Sequence, residues 1–587
     1  MRANPAEAAT PVNQAVASSQ SGSGVGLAGL ICPSGAREVL ASLVAGDDTP
    51  GPVSPAIAAQ DGGGLASFHR GAGLEGCLAE RGGVIAAVVG HPHDRHDGRV
   101  ITPERVLDAY AEGSVAALAK SCLGDFSLAI VDPVRQEAVL VSDRVALRPV
   151  FYTTAAGDFR FSSTVWALAA GGRPGLTVNY TAVACWLFFG YAMECQTLFA
   201  EVAKVEPGSI LRYRDGRVRI ESYDPGWFEQ RRVIEVDELI ERLDAACRHA
   251  LTTLLPTEPP VTVFLSGGYD SRLIAAMMDR EGIPFKAYNV PYDSVEAGES
   301  RVAAAALGIP LEVLPIRWSL PDLYGNPLEW SPWGFPLRRH SPSALVDRYA
   351  LRGWAVDGLL GEWLRHGGWR NPFAHAATTG STVAEAVMQR QRGSAPEVLF
   401  TPAPAARIRQ IAAAEVERSL NRLPVPDKEK FGLWMLFNRS ANYTATVHHF
   451  TRGWVESVHP FAAPDSLDLL FTSPKSVLTK NTYRRLFDTR YPRLGGMPHS
   501  RDMTPTYSHI RGWVWHYWRR VPRQIYDLGF GLPGIPLRRL GLALRTAAYG
   551  VGWARWEDIN EPLTLVSMLA ARLDRAGYAL DLETGLG

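Results

Sequence analysis

The chain has 587 residues, too many for one hydrophobic core; at roughly 150 residues per domain, length suggests about four domains, or two or three larger ones. With 46% apolar and 20% charged residues it can bury a sizeable core, which excludes a disordered chain. Lys plus Arg and Asp plus Glu balance at 60 each, so no basic excess is available to neutralise phosphates, and this argues against a nucleic-acid partner.

Residues 1–24, ending in SSQSGSG, are mostly small or polar and read as a flexible tail, because they bury too little surface to offset ordering entropy. From Val25 to about Pro225 come short runs suited to strands: GLAGLIC, GVIAAVVG, FSLAIV, EAVLVSD, VFYTT, DFRFSS and SILRYRDGRVRI. The turn segment GGRPG and the hairpin signal RYRDGRVRI make this an antiparallel, sheet-rich domain over 25–225. Helical spacing is confined to PERVLDAYAEGSVAALAKS and TAVACWLFFGYA. From about 235 the rhythm changes. VDELIERLDAACRHALTTLL reads as a helix, then VTVFL (strand), DSRLIAAMMDREG (helix), FKAYNV (strand), EAGESRVAAAALG (helix) and LEVLPI (strand) follow. Strands alternating with helices imply a parallel α/β sheet over 235–505, with its ligand beyond the strand C-termini. Beyond Asp322 the chain reads as mostly helical, with FGLWMLFNRSANYTATVHHF as one long arm, and 506–587 as a helical, Trp- and Arg-rich extension.

Six cysteines, at 32, 77, 122, 185, 195 and 247, form no C-x-x-C pair and no metal-ligand spacing, as expected of reduced, buried thiols in a cytoplasmic protein. No apolar run of about 18 residues marks a membrane span. The N-terminus lacks the basic-then-apolar order of a secretory signal. His448 and His449 are adjacent, so on a helix they point apart and make poor joint ligands; they and His459 read as structural histidines.

The chemistry is carried by residues 261–273, VTVFLSGGYDSRL. An apolar strand ends in glycines where a helix begins. Glycines let backbone N–H groups close round an anion without Cβ clashes, and the helix N-terminus adds partial positive charge. Ser266 and Ser271 can donate to phosphate oxygens, and Arg272 can contact phosphate. Asp270 does not suit a bare phosphate cradle; a Mg²⁺ ion between them resolves this. No lysine follows the glycines, which disfavours a Walker-type loop. Leu265, Ser266, Gly267, Gly268, Asp270, Ser271 and Arg272 are therefore the candidate nucleotide-binding residues.

S-G-G-x-D-S resembles the pyrophosphate loop of the N-type ATP pyrophosphatases, and the wider layout over about 25–505 resembles asparagine synthetase. LGDFSLAIVDPVRQEAVLVSDRVALRPVFY (123–152) looks like that family's sheet core and FSSTVWAL (161–168) like the segment after it. GLLGEW (358–363) falls at the family's acidic Mg-binding turn, with Glu362 in place of its aspartate. VESVHPFAAPDSLDLLFTSP (455–474) and the lysine-bearing K-N-T-Y-R-R (480–485) match later segments. The resemblance implies an Ntn-hydrolase-like sheet domain followed by a parallel α/β ATP-pyrophosphatase domain with a large helical C-terminal portion. It implies ATP and Mg²⁺ as cofactors and Asp270, Glu362 and Lys480 as the catalytic group, with Asp270 and Glu362 on the metal. Glu299 matches an acidic helix position facing the nucleotide side, and Arg501 is the nearest basic residue to a second family lysine.

The departures are as informative. The family's glutaminase uses an N-terminal cysteine; Val25 stands at the matching position, and Cys32, seven residues on, is a poor substitute. The glutamine-binding Asn-Gly-Glu loop is replaced by Val89-Gly90-His91-Pro92-His93. Without ammonia from glutamine, the activated carboxylate needs another amine, as in the β-lactam synthetases and the lasso-peptide macrolactam synthetases. Leu359 and Leu360 stand where the former family carries a tyrosine base, so the chain resembles the latter more. That resemblance implies adenylation of an Asp or Glu side chain of a ribosomal precursor peptide and attack by the peptide's N-terminal amine. It also implies a leader peptidase and a leader-recognition protein as partners. Alternatives are an ammonia-fed or β-lactam-forming amide synthetase, a non-catalytic ATP-binding scaffold in a biosynthetic complex, and a tRNA-modifying relative, for which no cysteine pair or basic tail speaks.

Overall fold

The computed structural model describes residues 24–32, 35–46, 53–70, 78–170, 175–256, 261–290, 294–314, 331–336, 346–366, 376, 381–390, 396, 400–497 and 560–586. The tail 1–23, Arg501 and most of the 506–587 extension lie outside them; within that extension, Asn560–Arg575 is a helix. Among the described residues, Cys32, Cys122, Cys185 and Cys247 are buried and Cys195 is half-buried.

The apolar runs before Pro225 build a twelve-stranded sheet. Its centre is β1 (Gly24–Ile31), β2 (Val84–Gly90), β3 (Phe126–Asp132) and β4 (Glu137–Ser142), side by side. Both faces are covered. Along β2, Ile85, Ala87 and Val89 enter one core while Ala86 and Val88 enter another, packed with Val106 and Leu107 of the helix Pro103–Glu112. This is why the central strands read as unbroken apolar runs rather than alternating ones. The hairpin read from RYRDGRVRI is Ser209–Arg214 paired with Arg217–Ser222, with Asp215 and Gly216 both at positive φ (51° and 73°), as a type I′ turn requires. The stretch from Pro103 to Ser121 is two helices, not one: Gly113 takes the left-handed conformation (φ 73°) and caps the first.

The second sheet is parallel throughout. Its strands are β5 (Val261–Phe264), β6 (Phe285–Asn289), β7 (Leu311–Val313), β8 (Gly353–Val356) and β9 (Val455–Val458), in the order β7-β6-β5-β8-β9. Helices α1 (Val236–Leu254), α2 (Tyr269–Glu281) and α3 (Ser294–Leu307) fall where the spacing predicts. Beyond Asp322 the described residues are mostly helical, in line with the sequence reading, which placed no strand at β8 or β9. Each is four residues long and largely inward-facing, too short to show a period of its own. The predicted long arm is also broken: α4 (Asp427–Met435) passes into a π-helix (Leu436–Thr444) and then α5 (Thr446–Thr451). Asn438 and Asn442 of the π-helix use their side chains on the first domain, accepting from Glu194 N (2.8 Å) and Lys204 Nζ (2.7 Å), respectively.

A buried ion cluster joins the two sheets. Arg148, which follows β4, pairs with Asp125 (2.9 Å) and with Glu456 of β9. Arg452, before β9, donates to Leu147 O and lies 3.9 Å from Asp125. Burial would raise Asp125, but Arg148 beside it, with His459 and Arg452, holds its carboxyl far below the usual carboxylate range. Gly90, at the end of β2, has φ +93°; a Cβ there would come within 2.3 Å of Asp125 O and 2.8 Å of Arg148 Nε.

Removing one member of such a pair strands a buried charge and costs about 3–5 kcal/mol, whereas exchanging both for apolar groups of similar volume is close to neutral. Glu456→Ala is therefore expected to lower unfolding stability by about that amount. The double variant Arg148→Met with Glu456→Leu should recover most of it in urea denaturation; equal losses in both proteins would refute the pairing.

Candidate nucleotide-binding site

In the order β7-β6-β5-β8-β9 the chain runs outward from β5 to one edge and then returns on the other side of β5. The switch point lies between the C-terminal ends of β5 and β8, the place where open α/β sheets bind ligands. The S-G-G-x-D-S loop leaves β5 there and the turn 357–362 leaves β8 there.

The loop is held by its own atoms. Leu265 N donates to Tyr288 O (2.8 Å) and Leu265 O accepts from Asn289 Nδ2 (2.9 Å), which fixes the strand end to β6. Ser271 Oγ accepts from Ser266 N (3.0 Å) and lies 3.0 Å from Ser266 Oγ; Ser266 Oγ accepts from Gly268 N (3.1 Å). Gly268 caps α2 with no side chain of its own, so the first turn of the helix opens toward the loop. The seryl pair thus shapes the cradle as well as lining it.

From the sequence, Arg272 could contact phosphate or pair with a nearby carboxylate. The structure has the second arrangement: its guanidinium is buried, donates to Gly267 O, and lies 3.9 Å from Glu299 of α3. It braces the loop from beneath, and Glu299 neutralises it there.

Asp270 packs against the turn. A Cβ on Gly358 would sit 2.7 Å from Asp270 Cβ, and one on Gly361 would sit 3.0 Å from Asp270 Oδ1 and 2.8 Å from Phe461 Cε2. Both glycines are needed for this approach, and Leu360 between them holds a positive φ of 71°. Burial, with Glu362 and Asp357 adding negative charge, pushes the Asp270 carboxyl up to about 6, against the pull of Arg365 and of the Tyr483 hydroxyl, which donates to Oδ1 at 2.8 Å. Glu362 is partly exposed, with Arg439 3.8 Å away. Lys480 opens helix α6 (Lys480–Arg490), three residues before Tyr483 and so on the same side of the helix.

The sequence reading missed Tyr483, Arg365, Asp357 and Arg439. Only Tyr483 had a signal, its place one turn from Lys480 inside an already quoted motif. Asp270 and Glu362 beside an anion cradle fit a hard divalent cation: the raised Asp270 carboxyl is the electrostatic strain a cation would relieve.

Comparison with known proteins places this site. A glutamine amidotransferase domain family matches residues 101–224 and an asparagine synthase family matches residues 242–317. The first match falls in the antiparallel sheet domain and the second in the parallel one, so over those residues the chain is similar to a glutamine amidotransferase domain and to asparagine synthase. "Asparagine synthetase [glutamine-hydrolyzing] 1" of Bacillus subtilis (strain 168) is 29% identical over 37% of this chain and 36% of its own length. "Asparagine synthetase [glutamine-hydrolyzing] 3" of the same organism is 26% identical over 29% and 28%. The match thus spans little more than a third of those relatives at most. The solved structure of glutamine phosphoribosylpyrophosphate amidotransferase from B. subtilis, complexed with ADP and GMP, aligns at 12% identity and a TM-score of 0.26, over 62% of this chain and 79% of that one. A likeness at that score supports no further statement.

Two outcomes test the site. Since Asp270 holds its proton below about 6, Mg²⁺-dependent ATP binding should weaken as pH falls through that value. Tyr483→Phe removes a hydrogen bond that favours the carboxylate, so the midpoint should move to higher pH by about one unit; titration calorimetry over a pH series reads both. Gly358→Ala should abolish nucleotide binding, measured by the same method, while leaving far-UV circular dichroism unchanged.

Proposed function

We propose that this chain is an ATP-dependent, AMP-forming amide ligase, and that its substrate is a ribosomally made peptide which it closes into a macrolactam. The observation that carries the reading is the contact of the S-G-G-x-D-S loop with the acidic turn at the sheet's switch point, through Asp270 against Gly358 and Gly361. Asp270 and Glu362 would hold Mg²⁺, which supplies charge neutralisation for the phosphates.

This chain's own residues do the rest. The N–H groups of Gly267 and Gly268, the first turn of α2, and the hydroxyls of Ser266 and Ser271 take up the charge that develops on the departing pyrophosphate. Lys480 stabilises the α-phosphoryl group as the peptide carboxylate attacks it. The acyl-adenylate is then attacked by an amine of the same peptide; the amine loses a proton, the C–N bond forms and AMP leaves. The sum is loss of one water from the peptide. Holding both reacting ends in one pocket makes the second step effectively unimolecular.

The source of the amine follows from the first domain. Val25 lies in β1 where the asparagine synthetase pattern has its cysteine, and Val89 and His91 replace the asparagine and glutamate of the glutamine loop. The amine therefore comes from the substrate, as in the lasso-peptide cyclases that the chain resembles, with a leader peptidase and a leader-recognition protein acting alongside. The similarity to asparagine synthetases favours a second reading, amidation with free ammonia.

The test is incubation with Mg-ATP and candidate precursor peptide. Loss of one water from the peptide with formation of AMP and pyrophosphate is expected, reduced by at least about 1000-fold in Asp270→Ala, on the scale of a lost electrostatic catalyst. Formation of ADP and phosphate would overturn the mechanism, and turnover that needs ammonia but no peptide amine would establish the second reading.

A further inference from the structure

His448 and His459, each read from the sequence as structural, come together in space with Asp357, the first residue after β8. His448 of α5 places Nε2 3.4 Å from Asp357 Oδ1, and its ring meets the His459 ring edge-on, with centroids 4.3 Å apart. One ligand atom from each of Asp357, His448 and His459 lies within 4.8 Å of the other two. His459 is 2% exposed at its side chain. Its Nδ1 faces Asp125 Oδ1 at 3.4 Å, and its Nε2 is buried without a hydrogen-bond partner.

That last atom is the anomaly. A buried ring nitrogen left unmatched costs about 1–3 kcal/mol, and proteins rarely tolerate one without reason. Here the opposite nitrogen is oriented by a carboxylate. A carboxylate behind a histidine whose far nitrogen is open, beside a second histidine and a second carboxylate, is the arrangement that fixes tautomer and basicity in metal-ligating histidines.

We propose that Asp357, His448 and His459 form a binding site for a borderline divalent cation, zinc in particular, with Asp125 as the carboxylate that orients His459. Two imidazoles and one carboxylate are a zinc-type donor set rather than a magnesium one. Bonds of about 2 Å would draw the three donors together by roughly an ångström and leave a fourth position open. The site shares no ligand with the Asp270–Glu362 pair and does not depend on the reaction proposed above. It would clamp three separate segments: the end of β8, helix α5 and the end of β9. Through Asp125 it would also reach the amidotransferase-like sheet.

The experiment uses the full chain and cobalt(II) as a spectroscopic probe. The wild type should bind one equivalent of Co²⁺ with visible d–d bands, which Zn²⁺ bleaches on displacing it. His459→Ala should abolish the bands. Asp357→Asn, at a partly exposed position where misfolding is not expected, should weaken binding by at least tenfold, and Asp125→Asn by about 10- to 100-fold. Asp270→Asn should leave the bands intact. Absence of bands in the wild type overturns the proposal, as does their persistence in both Asp357→Asn and His459→Ala. Loss of the bands in Asp270→Asn with retention in Asp357→Asn would assign the ion to the nucleotide site and equally overturn it.

Discussion

Two guanidiniums, Arg148 and Arg452, are buried between the sheets of this protein, and the remaining geometry follows from the need to neutralise them. An ion of that size cannot leave water unless acids meet it at hydrogen-bond distance. Asp125 meets it from the first domain and Glu456 from β9. The register of one domain on the other is therefore set by charge, with little tolerance for sliding. β9 runs on into His459 and Phe461, and Phe461 closes on Gly361 of the turn that carries Glu362. A chain of direct contacts thus leads from the amidotransferase-like sheet to Asp270. The first domain thus has a physical role whatever its own chemistry: it fixes the far wall of the candidate nucleotide site.

The electrostatics at that wall run opposite to those at the interface. Around Arg148 the opposite charges are matched, and Asp125 stays ionised. Around Asp270 burial dominates, with Glu362 and Asp357 adding negative charge, and the carboxyl is lifted to about 6. One protein uses burial in both directions, to lock an interface where charges cancel and to hold a site poised for a cation where they do not.

What could be read from the sequence follows the range of the interactions involved. The S-G-G-Y-D-S loop was legible because its glycines, its hydroxyls and the strand before it are contiguous, and local chemistry suffices to say what they do. So was the βαβ rhythm from 236 to 313. β8 and β9 were not, because four inward-facing residues in a parallel strand carry no alternation. The π-helix was not, because the extra residue per turn leaves composition unchanged. Arg272 could be placed beside the loop, but whether its guanidinium faces phosphate or Gly267 O depends on Glu299, a partner on another helix. Tyr483, Asp357 and Arg365 act on Asp270 across large separations in the chain, and a single sequence holds no record of those contacts. His448 and His459 show the same limit. Each was read on its own as structural, while the fold sets their rings edge-on, with centroids 4.3 Å apart.

Gly90 is a point where the lock between the sheets leaves no room for a side chain. Its backbone has left-handed φ, and any side chain would strike the Asp125 carbonyl and the Arg148 guanidinium. Glycine here acts as a clearance: it lets the end of β2 lie directly against the ion pair that ties the two sheets, so packing fixes this position whatever chemistry the first domain performs.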